Sequence, residues 1–230
     1  MKPQLYIIIG AYGSGKSEFS IHLARSLKAQ GLDVVLADLD VVNPYFRSRE
    51  IRDDFILEGI DVIAPEGEYK HSDLPMISPR VKGALQNREK TVILDVGGDP
   101  AGCRTLGRFE EIIKNRGYNM IFIVNTMRPF TTTPEEIITM KEALEATSRL
   151  QITEIVCNTN LMEETTADIV LSGIKTVDKA AKQLSLPFDT YLVLSKYISI
   201  VPDHLYGKKR EVMKYNLQKP WELLIARGIC

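Results

Sequence analysis

The segment Gly10-Ala-Tyr-Gly-Ser-Gly-Lys-Ser17 fits the pattern G-x-x-x-x-G-K-[ST] in full. Gly10, Gly13 and Gly15 free the backbone to curl until successive N–H groups point inward, as polyphosphate oxygens require. Tyr12, Ser14 and Glu18 complete the stretch that would line such a cradle. Lys16 brings an ammonium group for the outer phosphates, and the Ser17 hydroxyl is a ligand for Mg²⁺. The chemistry implied is the binding of a nucleoside triphosphate with its magnesium ion. The apolar run Leu5–Ile9 precedes the motif, and a helical pattern with Phe19, Leu23 and Leu27 on one face follows it. This is the strand–loop–helix setting in which the motif works, because the helix adds its positive N-terminal end to the cradle.

Two further chain segments end in carboxylates. Val34–Ala37 reads as a strand running into Asp38-Leu-Asp40, and strand alternation puts the two acids on one side. They fall at the carboxyl end of a parallel strand, where open α/β sheets bind ligands. There a carboxylate can orient an attacking water or hold the water shell of a metal ion. Thr91–Asp95 is an apolar strand followed by Val96-Gly-Gly98-Asp99. Asp95 is the natural carboxylate for the magnesium site, and Gly98 could offer a backbone N–H to the terminal phosphate. The catalytic candidates are therefore Lys16 and Asp40, and the metal candidates Ser17, Asp40 and Asp95.

These groups need a rigid frame. Short β-branched runs alternate with helical patterns, which predicts an α/β fold with a mostly parallel sheet. About seven strands are expected, flanked by helices on both faces in three layers. They are Leu5–Ile9, Val34–Ala37, Asp61–Ala64, Thr91–Asp95, Met120–Val124, Glu154–Asn158 and Thr190–Leu194. Leu106, Phe109, Ile112 and Ile113 mark one helix. Thr133-Pro134-Glu135-Glu136 has capping-box spacing with proline at the first helical position. Ile169 to Leu184 reads as a long helix ending before Pro187. The stretch Glu66–Pro79, with Tyr69, His71 and Asp73, breaks the alternation and reads as a long functional loop, the place for a partner or acceptor. Residues 1–230 are expected to form a single domain.

Composition narrows the partners. Hydrophobic residues make up 44% and the net charge is −1, so a soluble core is affordable and no basic field exists to hold nucleic acid. No apolar run approaches the ~20 residues of a membrane-spanning helix. Three cysteines (Cys103, Cys157 and Cys230) at wide spacing, with no signal peptide, predict a reducing, cytoplasmic setting. His22, His71 and His204 lack metal-ligand spacing.

The loop, the Asp38-Leu-Asp40 strand end and the Asp95-Val-Gly-Gly98 turn together resemble the MinD/ParA/CobQ/nitrogenase-iron-protein class of P-loop ATPases. Asn125-Thr-Met-Arg-Pro-Phe130 is similar to the segment after that class's fifth strand. The resemblance spans roughly residues 4 to 160. It implies ATP and Mg²⁺ as cofactors, Asp40 as the residue that positions the attacking water, and a nucleotide-dependent homodimer sandwiching two ATP molecules. Ala11 stands where the class usually carries a second lysine that crosses the dimer interface. Arg47, Arg49, Arg104 and Arg128 all follow strand ends and could supply that charge. Guanine-specific relatives use N-K-x-D where this chain has Asn158-Thr-Asn-Leu161. With Leu161 in the acidic place, Asn158 is expected to read adenine, since a carboxamide both donates and accepts. A single cysteine, Cys103, is too few for an iron–sulfur cluster and reads as a buried thiol. The tail Pro220–Cys230 lacks a lysine-rich face and is expected to dock on the core rather than on a membrane. The reading is a slow ATPase switching a partner protein. The alternative is a small-molecule kinase or ATP-dependent synthase on the same core, because Asp38-Leu-Asp40 followed by Arg47 is faintly similar to an acceptor-holding segment.

Overall fold

The computed structural model describes residues 2, 4–40, 52–63, 79–98 and 100–216. Arg47, Arg49, Asp99, the loop residues Tyr69, His71 and Asp73, and the tail Pro220–Cys230 lie outside the described residues. The strands are β1 (Leu5–Ile9), β2 (Val34–Asp38), β3 (Asp61–Ile63), β4 (Thr91–Asp95), β5 (Asn119–Val124), β6 (Glu154–Cys157), β7 (Thr190–Leu194), β8 (His204–Leu205) and β9 (Lys208–Met213). The helices are α1 (Lys16–Ala29), α2 (Arg52–Leu57), α3 (Pro79–Gln86), α4 (Pro100–Gly107), α5 (Glu110–Arg116), α6 (Pro134–Ser148) and α7 (Ala167–Leu184).

The strands form one sheet in the order β3-β2-β4-β1-β5-β6-β7-β9-β8. Every pair is parallel except β8 with β9. Both faces of the sheet are covered. In β1, Ile7 and Ile9 enter one apolar cluster while Ile8 enters the other, and all three are fully buried. Each such side chain contributes ~1.5–3 kcal/mol by leaving water, so β1 is a firm base for the loop that follows it.

The sheet has nine strands among the described residues rather than about seven. The two additional strands are β8 and β9. Lys208-Lys-Arg-Glu211 carries no apolar alternation, so its pattern hides a strand that pairs with β7 along its whole length. The helix expected around Leu106–Ile113 is two helices. α4 ends at Gly107 and α5 begins after Phe109, whose N–H bonds the Leu106 carbonyl across the break. The Thr133 start is as expected: its hydroxyl accepts from Glu136 N–H, with Pro134 at the first position. The Glu136 carboxylate returns to the N–H and hydroxyl of Thr132.

Candidate functional site

β1 lies between β4 and β5, so the chain leaving it enters the crevice where connections run to opposite faces of the sheet. The register brings Ile8 beside Asp95 and Asp95 beside Asp38. Leu39 N–H bonds the Asp95 carbonyl at 2.8 Å, and Val96 N–H bonds the Ile8 carbonyl at 3.2 Å. Three strand ends are thus locked side by side, each delivering one part of the site.

The loop from Gly10 to Gly15 is braced by side chains distant in sequence. Two of its carbonyls meet side-chain donors: Asn158 Nδ2 donates to the Ser14 carbonyl at 2.7 Å, and Arg128 Nε donates to the Gly13 carbonyl at 3.2 Å. Gly15 sits at φ 92, where a Cβ would also come within 2.2 Å of Asn158 Nδ2. Lys16 is buried and folds back so that Nζ donates to the Ala11 carbonyl at 3.0 Å. Ser14 is fully buried, and its hydroxyl finds no hydrogen-bond partner among the described residues.

Gly98 closes the other side. A Cβ there would stand 2.7 Å from Lys16 Nζ and 2.8 Å from Tyr12 Cα, so the turn after β4 rests directly on the phosphate loop. This contact tolerates only glycine, because a backbone atom cannot move aside as a flexible side chain can.

The carboxylates occupy graded positions. Asp95 is 1% exposed at the base of the crevice. Burial raises its pKa to about 6, while the hydroxyls of Ser17 and Ser20 and the Lys16 ammonium pull it down and Asp40 pushes it up. Neither carboxylate oxygen of Asp95 makes a hydrogen bond of standard geometry among the described residues. Asp38 is the last residue of β2 and is buried; its Oδ1 accepts from Asp40 N–H at 3.0 Å. Asp40 lies beyond the strand, so this turn, rather than strand alternation, aims it. It lies beside Gly97, where a Cβ would be 3.3 Å from its Oδ1.

A magnesium ion fits these residues. Among the described residues no group of three or more His, Cys, Asp or Glu side chains could hold a metal alone. Mg²⁺ on a nucleotide needs only one or two protein ligands, the rest being phosphates and water. A buried carboxylate lacking standard hydrogen bonds, with the Ser17 hydroxyl beside it, suits that role.

The remaining sequence candidates take different places. Glu18 is buried and accepts from the N–H and Nδ2 of Asn216, which ties the strand end after β9 to the first turn of α1. Tyr12 presents its side chain to solvent at 65% exposure. Ala11 is buried, so its position faces inward. Of the four arginines, Arg128 reaches the loop and Arg104 is exposed on α4. Cys103 and Cys157 are buried thiols, and burial pushes the pKa of Cys157 up to about 11.

Asn125 opens the segment whose resemblance gave its side chain no role. Its Oδ1 accepts from Met127 N–H and Asn160 N–H, and its Nδ2 donates to the Asn160 carbonyl. One side chain thereby fastens the segment after β5 to the segment after β6. Asparagine at a strand end before a turn is the signal that could have found it.

A parallel sheet carrying a glycine-rich loop between β1 and α1, with carboxylates at the neighbouring strand ends, defines a P-loop nucleotide-binding domain. The family model of the CobQ/CobB/MinD/ParA nucleotide-binding domain matches residues 5–188, and the chain belongs to that family. Solved structures agree in fold. FtsY of Thermotoga maritima superposes with a TM-score of 0.61 at 17% identity, covering 83% of this chain and 62% of that one. FtsY of Elizabethkingia anophelis in complex with GDP gives 0.53 at 18% identity, over 84% and 58%. The 54 kDa signal recognition particle protein of Aeropyrum pernix, also with GDP, gives 0.54 at 17%, over 82% and 41%. The chain thus spans at most 62% of the length of these three relatives. No curated protein matches it in sequence. No helix among the described residues is long and apolar enough to cross a membrane.

Proposed function

We propose that the chain is a Mg²⁺-dependent ATP-binding domain that hydrolyses ATP slowly and passes its nucleotide state to a partner protein, working in the cytoplasm as a single unit. The observation that carries this reading is the meeting of Lys16, Gly98 and the Tyr12 backbone on one side of the loop, with buried Asp95 near the Ser17 hydroxyl. Lys16 neutralises charge on the outer phosphates. Ser17 and Asp95 would hold a magnesium ion, whose charge would draw electron density from the phosphate being transferred. Asp40, held by its turn on Asp38, orients the attacking water. Gly98, packed on the loop, carries the loss of the terminal phosphate to the segment that follows. An ATP-dependent dimer of two such chains belongs to the same reading.

Adenine is supported by the residue types after β6. The guanine edge presents two donors that a carboxylate satisfies, and Leu161 offers no acceptor for them. Asn158 has its Nδ2 on the Ser14 carbonyl, and its Oδ1 accepts from Asn160 at 3.3 Å. The base-reading role proposed for Asn158 uses the rest of its carboxamide.

The test is phosphate release with purified protein, Mg²⁺ and ATP or GTP, alongside Lys16→Ala. Slow release with ATP, lost in the variant, is the expected result. Full turnover in Lys16→Ala would overturn the reading. Release that begins only when a small-molecule acceptor is supplied would replace the switch with a kinase. Light scattering with and without ATP reports on the dimer.

A further inference from the structure

Arg128 reaches the phosphate loop from the turn that follows β5. It follows β5 in the turn Asn125–Thr131, and this turn is tightly fixed. Arg128 N–H bonds the Asn125 carbonyl at 3.1 Å. The Thr131 hydroxyl donates to the carbonyls of both Asn125 and Arg128. Phe130 is held at φ 67, a conformation that a bulky side chain adopts only when its surroundings impose it. The Asn125 side chain pins the same turn to the segment after β6. The backbone that carries Arg128 is therefore set before any ligand arrives.

The guanidinium itself lies against the phosphate loop at Gly13. Nε donates to the Gly13 carbonyl, and a Cβ on Gly13 would meet Nε at 3.2 Å and Cζ at 3.7 Å. That bond uses one of five N–H donors. Nη1 and Nη2 make no hydrogen bond and no ion pair among the described residues. An arginine held against a backbone with its outer fork unmatched is arranged for an anion that presents two acceptor oxygens, and a phosphate group does so. The loop's own charge is limited to Lys16, since Ala11 is buried and neutral.

We propose that Arg128 binds the polyphosphate of the bound nucleotide in cis, through the outer nitrogens of its guanidinium, while its Nε steadies the loop at Gly13. The proposal rests on the nucleotide-binding reading above. A charge-assisted bond of this kind lost from a bound state weakens binding by about 10- to 100-fold.

Arg128→Gln, Arg128→Lys and Lys16→Ala are compared with the parent for binding of Mg²⁺ and a non-hydrolysable ATP analogue, and for melting without nucleotide. The Arg128 side-chain ¹⁵N signals, assigned by their absence in Arg128→Lys, are followed during titration of the parent. The expected result is a ~10- to 100-fold loss of affinity in Arg128→Gln with unchanged nucleotide-free melting, and guanidinium signals that shift on binding. Parent-like affinity in Arg128→Gln, or signals that stay still, overturns the proposal. So does a loss of affinity matched by a fall in nucleotide-free melting in both Arg128 variants, since that marks a brace and nothing more. If Lys16→Ala binds as well as the parent, the nucleotide reading itself fails. If Lys16→Ala loses binding and Arg128→Gln does not, only the arginine is misassigned.

Discussion

At the carboxyl ends of β2 and β4, Asp95 stands among Lys16, Asp40 and the hydroxyls of Ser17 and Ser20, and Asp38 accepts from the Asp40 N–H. At the amino ends of β6 and β7 stands a second acidic group: Glu154 and Asp189, with Glu211 of β9. Burial raises the pKa of Asp95 and of Glu154, and in both it is the largest influence. The difference lies in the company. Around Asp95, a lysine and two hydroxyls oppose the burial, so the charged form is within reach once a cation arrives. Around Glu154, the other influences are acids, and Glu211 is itself engaged with His22 at 2.7 Å. Buried carboxylates alone do not mark a site. A carboxylate surrounded by groups that become useful only with a ligand does.

Exchanging Asp95 for Asn breaks this contrast most severely. Turnover with Mg²⁺ should fall by at least ~100-fold, measured as phosphate release. The same change should stabilise the nucleotide-free protein. The interval from the ordinary value of 3.8 to about 6 corresponds to at most ~3 kcal/mol. The sign follows from proton linkage: the folded state holds this proton more tightly than the unfolded chain. The destabilisation is absent below pH 3.8, grows as the pH rises, and is complete above about 6. Melting of the parent should therefore decline relative to Asp95→Asn across that window. Equal melting of the two proteins at neutral pH would mean that Asp95 is already satisfied without a metal ion.

Gly98→Ala comes next. The added methyl would meet Tyr12 Cα at 2.8 Å, so the loop or the turn must shift. A displacement of that order misplaces the reacting groups and should lower turnover by ~10- to 100-fold. The smallest effect belongs to the other end of the sheet. Glu154→Gln should leave nucleotide turnover unchanged and raise stability at neutral pH by less than ~1 kcal/mol, since water screens a half-exposed group. The gain should vanish below pH 4.5, where the glutamate is protonated in both states. Altered turnover in Glu154→Gln would show that the two acidic groups are coupled.

Much of the frame was legible before any coordinates. The strands β1, β4 and β7 run between the residues their apolar runs marked, and Thr133-Pro134 starts α6. The helix read over Ile169–Leu184 lies within α7, where Gly173 packs so closely on Thr159 that a Cβ would come within 2.2 Å of its hydroxyl. β9 escaped because a strand at the rim of the sheet can keep charged residues along its length. The split between α4 and α5 escaped because both halves present apolar residues at compatible spacing.

What the sequence by itself determined is local. Glycine spacing in Gly10–Ser17, period-two apolar runs and acids at their ends follow from backbone geometry within a few residues, and such patterns survive in any context. What only the tertiary structure decided is which distant side chains meet the loop. Arg128 touches Gly13 across 115 positions of chain, and Asn158 touches Ser14 across 144. Those contacts exist because β1, β5 and β6 lie side by side in the sheet. Strand order is set by the packing of helices on both faces, and no spacing along one chain encodes it.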